Sequence, residues 1–246
     1  MENTEKAPEL GKESVEGRKL HARAEHEREH GSLTESLKAT DEAMTTYQKD
    51  GDILGFTEVL ASRVITLRHL HRQTRDKSYL LLAEKTAEAA LEIAMQGPVE
   101  SRAIPFYNLA EVQEEMGDIV GAVENYRAAV DLVTTNPPER HKHPAVAANF
   151  KLHLATAEYK MGDKTASGRA GKALRELEEA KFPDRYASDV WISGGHMKIA
   201  EIIMNDDPGK ASRHLQFAKA IIDSNPQLVL RKAQWGELIK KFEPQS

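Results

Sequence analysis

The stretch FYNLAEVQEEMGDIVGAVENYRAAVDLVTTNPP, residues Phe106–Pro138, decides the fold of this 246-residue chain. Gly117-Asp118 divides it into two halves, and Pro137-Pro138 ends it. In each half the apolar and small residues recur three or four positions apart, which is the spacing of one face of an α-helix. They are Phe106, Leu109 and Ala110 in the first half and Ile119, Ala122, Tyr126, Ala129 and Val130 in the second. Because glycine favours a turn and proline stops a helix, the stretch predicts two antiparallel helices.

This helix pair resembles one tetratricopeptide (TPR) repeat. The likeness lies in the large-x-x-apolar-small opening, in the turn glycine seven residues after the small position, and in the alanine/aromatic/alanine spacing of the second helix. The same interval of seven residues recurs from Ala24 to Gly31 and from Ala155 to Gly162. The stretch is therefore one unit of an array, whose period is about 42 residues and exceeds the usual 34 of the family. Longer repeats of this kind are similar to those of kinesin light chains and cell-polarity adaptors.

The remaining helical patterns complete the predicted architecture. It is all-α, a right-handed α-solenoid of about five antiparallel TPR-like helix pairs with a C-terminal capping helix. We expect a disordered tail over residues 1–13, the repeat array over 14–225, and the capping helix and tail over 226–246. Gly194-Gly195 lies inside an apolar helix pattern and indicates close helix packing rather than a phosphate cradle. Gly168 and Gly171, in a weaker helix, indicate either a close neighbour or a mobile element.

Composition and charge exclude several classes of function. The net charge of −5 disfavours a general nucleic-acid binder, and the absence of cysteine removes disulfides and thiolate zinc sites. The segment MENTEKAPELGKESVEG has no apolar core, so the sequence predicts no signal peptide. No apolar run reaches the roughly 20 residues of a membrane span. We therefore expect a cytoplasmic protein without a membrane or nucleic-acid partner.

Three groups of residues that could carry chemistry have simpler interpretations. Arg63, Arg68, Arg72 and Arg75 are expected to form a solvated helix end. His26 and His30 share a helix face, but no third ligand follows from spacing, so we expect no metal. Motifs for nucleophilic catalysis or for nucleotide binding are missing from the sequence. We expect no cofactor and no enzymatic activity.

The resemblance implies partner-binding positions on the first helix of each pair, one position after the large residue and one after the small residue. Carried over, with two positions one turn further on, these are His21, Glu25, Tyr107, Glu111, Glu114, Leu152, Thr156, Tyr159, Ile192 and His196. Members of the family that grip acidic tails need lysine and asparagine there, and this chain has neither. A peptide or helix with apolar anchors and basic residues would fit better, because glutamates would meet the basic groups.

The sequence thus favours a non-catalytic protein–protein interaction adaptor that binds a partner along the concave face of the array. The alternative is a structural subunit of a larger assembly, which docks through its convex face or its C-terminal helix. An enzyme or a small-ligand sensor is a third possibility. The oligomeric state is left open by the sequence.

Overall fold

The computed structural model describes residues 12–242, and the predicted tail is outside this range apart from residues 12 and 13. The described chain is an all-α solenoid with eleven α-helices and two short 3-10 turns. Its contacts divide it into two compact units. The N-terminal unit consists of residues 12–28 and Ser32–Glu139, and the C-terminal unit consists of Glu29–Gly31 and residues 140–242.

The N-terminal unit contains three helix pairs. They are α1 (Val15–Glu29) with α2 (Leu33–Asp50), α3 (Ile53–Thr74) with α4 (Lys77–Gln96), and α5 (Ala103–Met116) with α6 (Ile119–Thr135). The first helices α3 and α5 also pack directly on each other. Gly31 and Gly117 stand at turns as predicted, Gly51 stands at the turn after α2, and all three have positive φ. The turn after α3 has no glycine, and Arg75 adopts the left-handed conformation there with φ 61°.

An aromatic ring between two glycines organises the start of this unit. Tyr47 on α2 is fully buried, and a Cβ added at Gly17 or at Gly55 would lie 2.6 or 2.2 Å from its ring atoms. The two glycines therefore let α1 and α3 approach the ring from both sides. Asp52 strengthens the same corner, because its carboxylate accepts hydrogen bonds from the backbone N–H of Gly55 (2.7 Å) and of Ser14 (2.9 Å). One aspartate thus caps α3 and holds the beginning of α1.

The C-terminal unit contains two further pairs and a last helix. They are α7 (Pro144–Lys160) with α8 (Ala166–Glu179), α9 (Arg185–Ile203) with α10 (Pro208–Ser224), and α11 (Val229–Phe242). The first helices α7 and α9 pack on each other, and α11 packs on α9 and α10. Leu238 of α11 is buried, whereas Trp235, Ile239 and Phe242 are only partly covered. That α11 caps the array therefore stays a prediction.

Glycine occupies positions 194, 195, 168 and 171 of the C-terminal unit for different structural reasons. A Cβ at Gly195 would lie 2.8 Å from methyl carbons of both Leu152 and Leu174, and one at Gly194 would lie 3.0 Å from the Arg231 guanidinium. The expectation of close packing at this pair is confirmed. Gly168 differs, because a Cβ there would meet no atom within 4 Å, and at Gly171 the nearest atom is 3.9 Å away. Close approach of a neighbour is thus the wrong explanation for these two glycines of α8.

Candidate functional site

Two of the predicted binding residues lie on α1. His21 is nearly buried, with 12% of its side chain exposed, and its ring meets the edge of the Tyr47 ring at 6.3 Å. Its Nε2 is 3.8 Å from the Glu25 carboxylate and has no hydrogen-bond partner among the described residues. Burial lowers the pKa of His21, and the carboxylates of Glu25 and Glu58 oppose that effect. Glu25 itself is 54% exposed, so it is the accessible member of the two.

Three more predicted residues lie on α5, and the structure shows that one of them is occupied by an internal partner. The Glu111 carboxylate accepts two hydrogen bonds from the Arg68 guanidinium of α3, at 2.6 and 3.3 Å. Arg68 also donates to Glu115 at 3.0 and 3.2 Å, and Arg72 pairs with Glu115 as well. Burial alone would lower the pKa of Arg68, but the Glu111 charge and hydrogen bonds offset this and raise it. Glu111 therefore links α3 to α5.

This network corrects the interpretation of the arginine cluster. Arg68 is 7% exposed and belongs to the interior of the N-terminal unit, so its assignment to a solvated helix end was wrong. The reason is that α5 packs on α3 and places Glu111 and Glu115 opposite the guanidinium. Arg63 and Arg72 are partly exposed and pair with Asp41 and Glu115.

Tyr107 and Glu114 both contact Tyr126 of α6, the second helix of their pair. The Tyr107 ring stands edge-on to the Tyr126 ring at 5.6 Å, and the Tyr126 hydroxyl donates to Glu114 at 2.9 Å. Tyr107 is 9% exposed, whereas Glu114 is half-buried. Burial raises the pKa of Tyr126 well above its usual value, so the hydroxyl remains the donor. Of these two residues, Glu114 is the one with an accessible side chain.

Two predicted residues on α7 form part of the core of the C-terminal unit. Leu152 and Thr156 are 0% and 1% exposed, and the Thr156 hydroxyl donates to the backbone carbonyl of His153 at 2.9 Å. Such side chains cannot contact a partner without moving. Leu152 packs against α9, where it lies against Gly195.

Tyr159, at the end of α7, borders a cavity of about 290 Å³ within the C-terminal unit. Its hydroxyl donates to Asp206, and the Lys164 ammonium stands 4.3 Å from the centre of its ring. Lys164 also donates to Asp206 at 2.7 Å. The cavity lining contains both ammonium and carboxylate groups, namely those of Lys164, Lys210, Asp206 and Asp207, beside Tyr159, Ser167 and Ile203.

The last two predicted residues lie on α9. Ile192 is partly buried against the core, and His196 is 6% exposed. His196 Nε2 is 3.1 Å from the Glu178 carboxylate of α8, and its Nδ1 is 2.9 Å from Nδ1 of His214 on α10. The Phe217 ring stacks on His196 at 5.3 Å and 24°. His196 thus contacts the second helices α8 and α10.

The comparisons with known proteins agree with this architecture. No protein-family model matches the sequence, and no curated protein matches it. The solved structure of BtubC (BKLC) from P. vanneervenii does match, with 17% identity and a TM-score of 0.55 over 93% of this chain and 83% of that chain. The chain has a TPR-like helical repeat fold. A Podosopora anserina structure described as kinesin light chain TPR-like repeats aligns over 88% of this chain and 95% of its own, with 16% identity and a TM-score of 0.46.

The repeat spacing of this TPR-like chain follows the predicted value. The first helices of successive pairs begin at Val15, Ile53, Ala103, Pro144 and Arg185, so the mean spacing is about 42 residues. Within residues 12–242 there is no group of three or more histidine, aspartate or glutamate side chains that could hold a metal ion. In the same range, no helix is both long enough and apolar enough to span a membrane.

Sequence reasoning missed several contacts that shape the TPR-like units. Arg28 is buried and donates to the Ser62 hydroxyl at 2.8 Å, which joins α1 to α3. His214 and Glu178 flank His196 from two other helices. Their spacing along the chain carries no signal for this contact, because each residue lies on a different helix. The TPR resemblance gives Arg28 and Ser62 as further candidate contact positions on first helices, but it does not indicate that the two side chains contact each other.

Proposed function

We propose that this chain is a non-catalytic protein-interaction adaptor, which binds a peptide or helix across the first helices of its repeats. The supporting observation is the packing of first helix on first helix, α3 on α5 in one unit and α7 on α9 in the other. This packing forms a layer of adjacent first helices within each unit. A layer of this kind presents side chains from successive repeats to one extended ligand.

The accessible side chains of the predicted set are the ones that we assign to partner contact. They are Glu25 and Glu114 in the N-terminal unit and Ile192 in the C-terminal unit. Tyr159 is itself only 6% exposed, and we assign partner contact to the cavity that it borders. The buried members of the set hold the first helices in place and so contribute to partner binding only indirectly; they are Tyr107, Glu111, Leu152, Thr156 and His196. His21 packs next to Glu25 on α1 and is assigned a positioning role. Carboxylates in one unit and an apolar side chain in the other suit a partner with both basic residues and an apolar anchor.

Site-specific photo-crosslinking tests whether the first helices form the binding surface, and it captures the partner in the same experiment. A photoreactive phenylalanine analogue is placed at Glu114, at Ile192 or at Glu124, an exposed glutamate on the second helix α6 that serves as the matched control. After irradiation in an extract of the source cells, we expect the same adduct from Glu114 and Ile192 and none from Glu124. Purified partner should then bind a Glu114→Lys variant at least tenfold more weakly, and a Glu124→Lys variant normally.

A second candidate function is docking in a larger assembly through α11, and one observation favours it. Val229 is 50% exposed, and Trp235, Ile239 and Phe242 are only partly covered. These side chains leave apolar surface on the last helix, as a docking contact would require. Adducts from a probe at Val229, with none from Glu114 or Ile192, would select this function over the adaptor.

A further inference from the structure

A chain of three titratable side chains crosses the C-terminal unit from α10 to α8. His214 Nδ1 is 2.9 Å from His196 Nδ1, and His196 Nε2 is 3.1 Å from the Glu178 carboxylate. Each residue stands on a different helix, so the chain connects α8, α9 and α10 through side chains alone. The two ring centres are 5.2 Å apart.

The contacts determine where the protons lie when both rings are neutral. A neutral imidazole has one N–H donor and one acceptor nitrogen. His196 Nε2 faces a carboxylate, which only accepts, so Nε2 carries the hydrogen and Nδ1 keeps its lone pair. His214 Nδ1 must then donate to His196 Nδ1. The chain is fully satisfied in this single arrangement of tautomers.

The surroundings oppose protonation of the pair. His196 is 7% exposed at its side chain and lies under the Phe217 ring. Burial lowers the pKa of both histidines to about 4, and for His214 the nearby His196, Lys210 and Arg213 act in the same direction. The Glu178 carboxylate favours a charged His196, but it is 39% exposed and burial prevails.

The other charged groups on the packed helices are held in separate contacts. Burial raises the pKa of Glu178, whereas Arg175 of α8 opposes this effect and Glu179 adds to it. Glu201 of α9 pairs with Lys160 of α7 and Lys241 of α11. Arg231 of α11 lies against Gly194. None of these contacts, as given by the described residues, supplies a second carboxylate to the two imidazoles.

We propose that the His196–His214 contact is an acid-sensitive latch, which holds α10 on α9 at neutral pH and releases it in acid. When both rings are protonated, neither Nδ1 has a lone pair, and two N–H groups with positive charge face each other. His214 is the less buried ring, so it leaves towards solvent. Its departure uncovers the Nδ1 side of the His196 ring.

Hydrogen exchange measured by mass spectrometry tests the latch on the whole chain. Protection factors, corrected for intrinsic exchange rates, are compared at pH 7.5 and 5 for peptides from α10 and from α6. If the open form has histidines with pKa 6.5, a pKa of about 4 in the closed form favours opening by roughly ten- to thirtyfold per histidine at pH 5. We expect at least a tenfold loss of protection in α10 and no comparable loss in α6.

Three variants separate the latch from a general effect of acid. His214→Gln keeps a donor to His196 Nδ1 but cannot be protonated, so its loss of α10 protection should be smaller, and the double variant with His196→Gln should lose almost none. His26→Gln, at an exposed histidine of α1, should behave as the wild type. An equal loss in the wild type and the double variant would overturn the proposal, and so would parallel losses in α10 and α6.

A measurement on the wild type keeps the test decisive if a variant does not fold. Carbon-13 and nitrogen-15 shifts of the imidazoles report both pKa and tautomer. Both histidines should titrate below pH 5.5, with the proton on Nε2 of His196 and on Nδ1 of His214 at neutral pH. A pKa of 6.5 or above at either ring would refute the latch.

Discussion

Two glycine-to-alanine substitutions in the C-terminal unit should change its stability in opposite directions. Gly168 on α8 is exposed, and an added methyl group there meets no atom within 4 Å. Gly195 on α9 is buried, and the same methyl group would lie 2.8 Å from Leu152 Cδ2 and from Leu174 Cδ1. The chemistry of the substitution is identical, so only the surroundings distinguish the two outcomes.

The magnitudes follow from two terms. Alanine in place of glycine stabilises a helix interior by about 1 kcal/mol, and Gly168→Ala, in the first turn of α8, should gain up to this amount. Gly195→Ala gains the same term, but overpacking costs about 1–3 kcal/mol. The upper part of that range applies because Leu152 and Leu174 are 0% and 3% exposed and have no free space to enter. We expect a net loss of about 1–2 kcal/mol.

Urea unfolding followed by tryptophan fluorescence measures this unit selectively. The chain has two tryptophans, and both Trp191 and Trp235 belong to the C-terminal unit. With a slope of about 2 kcal/mol per M, the midpoint should rise by up to about 0.5 M for Gly168→Ala and fall by about 0.5–1 M for Gly195→Ala. Equal stability of the two variants would show that the methyl group at Gly195 causes no overpacking.

Three further predictions concern charges and caps. Arg68→Met should destabilise the N-terminal unit by about 3–5 kcal/mol, because it removes the guanidinium that donates two hydrogen bonds to the buried Glu111 carboxylate. Adding Glu111→Gln should recover much of the loss in urea unfolding followed by circular dichroism, and no recovery would contradict the pairing. Asp52→Ala should cost about 1–2 kcal/mol in thermal unfolding, since it removes the cap of α3 and the acceptor for Ser14; an unchanged melting temperature would argue against this role. For His196 and His214 the folded pKa of about 4 lies below the unfolded value of 6.5, so the unfolded chain binds more protons between these values. The free energy of unfolding should therefore fall by about 1–3 kcal/mol per histidine as pH drops from 6.5 towards 4, and a flat pH profile in fluorescence-monitored unfolding would refute the sign.

Local signals in the sequence were sufficient to place most helices and turns. Gly117-Asp118 illustrates why: the glycine adopts φ 91°, and the aspartate accepts from the Gly121 N–H at 3.0 Å to begin α6. Both properties belong to the residue and its immediate neighbours. Periodicity of the apolar residues then identified the buried stripe of each helix, as with Ala122, Tyr126 and Ala129, which are fully buried.

The candidate site was harder to read from the sequence. Glu25 and Glu111 occupy equivalent positions in the repeat pattern, yet one is exposed and the other is buried against Arg68. The difference arises because α3 packs on α5 and places Arg68 opposite Glu111. Position within a repeat does not encode the side chains of the preceding repeat, so the accessible part of the face could not be derived from spacing.

The sequence by itself determined the all-α repeat architecture, the turns and the mean period, because helix spacing, glycine turns and aspartate caps act over a few residues. Only the tertiary structure decided which side chains of the first helices are available. It enclosed Tyr47 between Gly17 and Gly55 and placed His214 against His196. These contacts join residues of different helices, and they depend on how neighbouring helices cross, which no local pattern specifies.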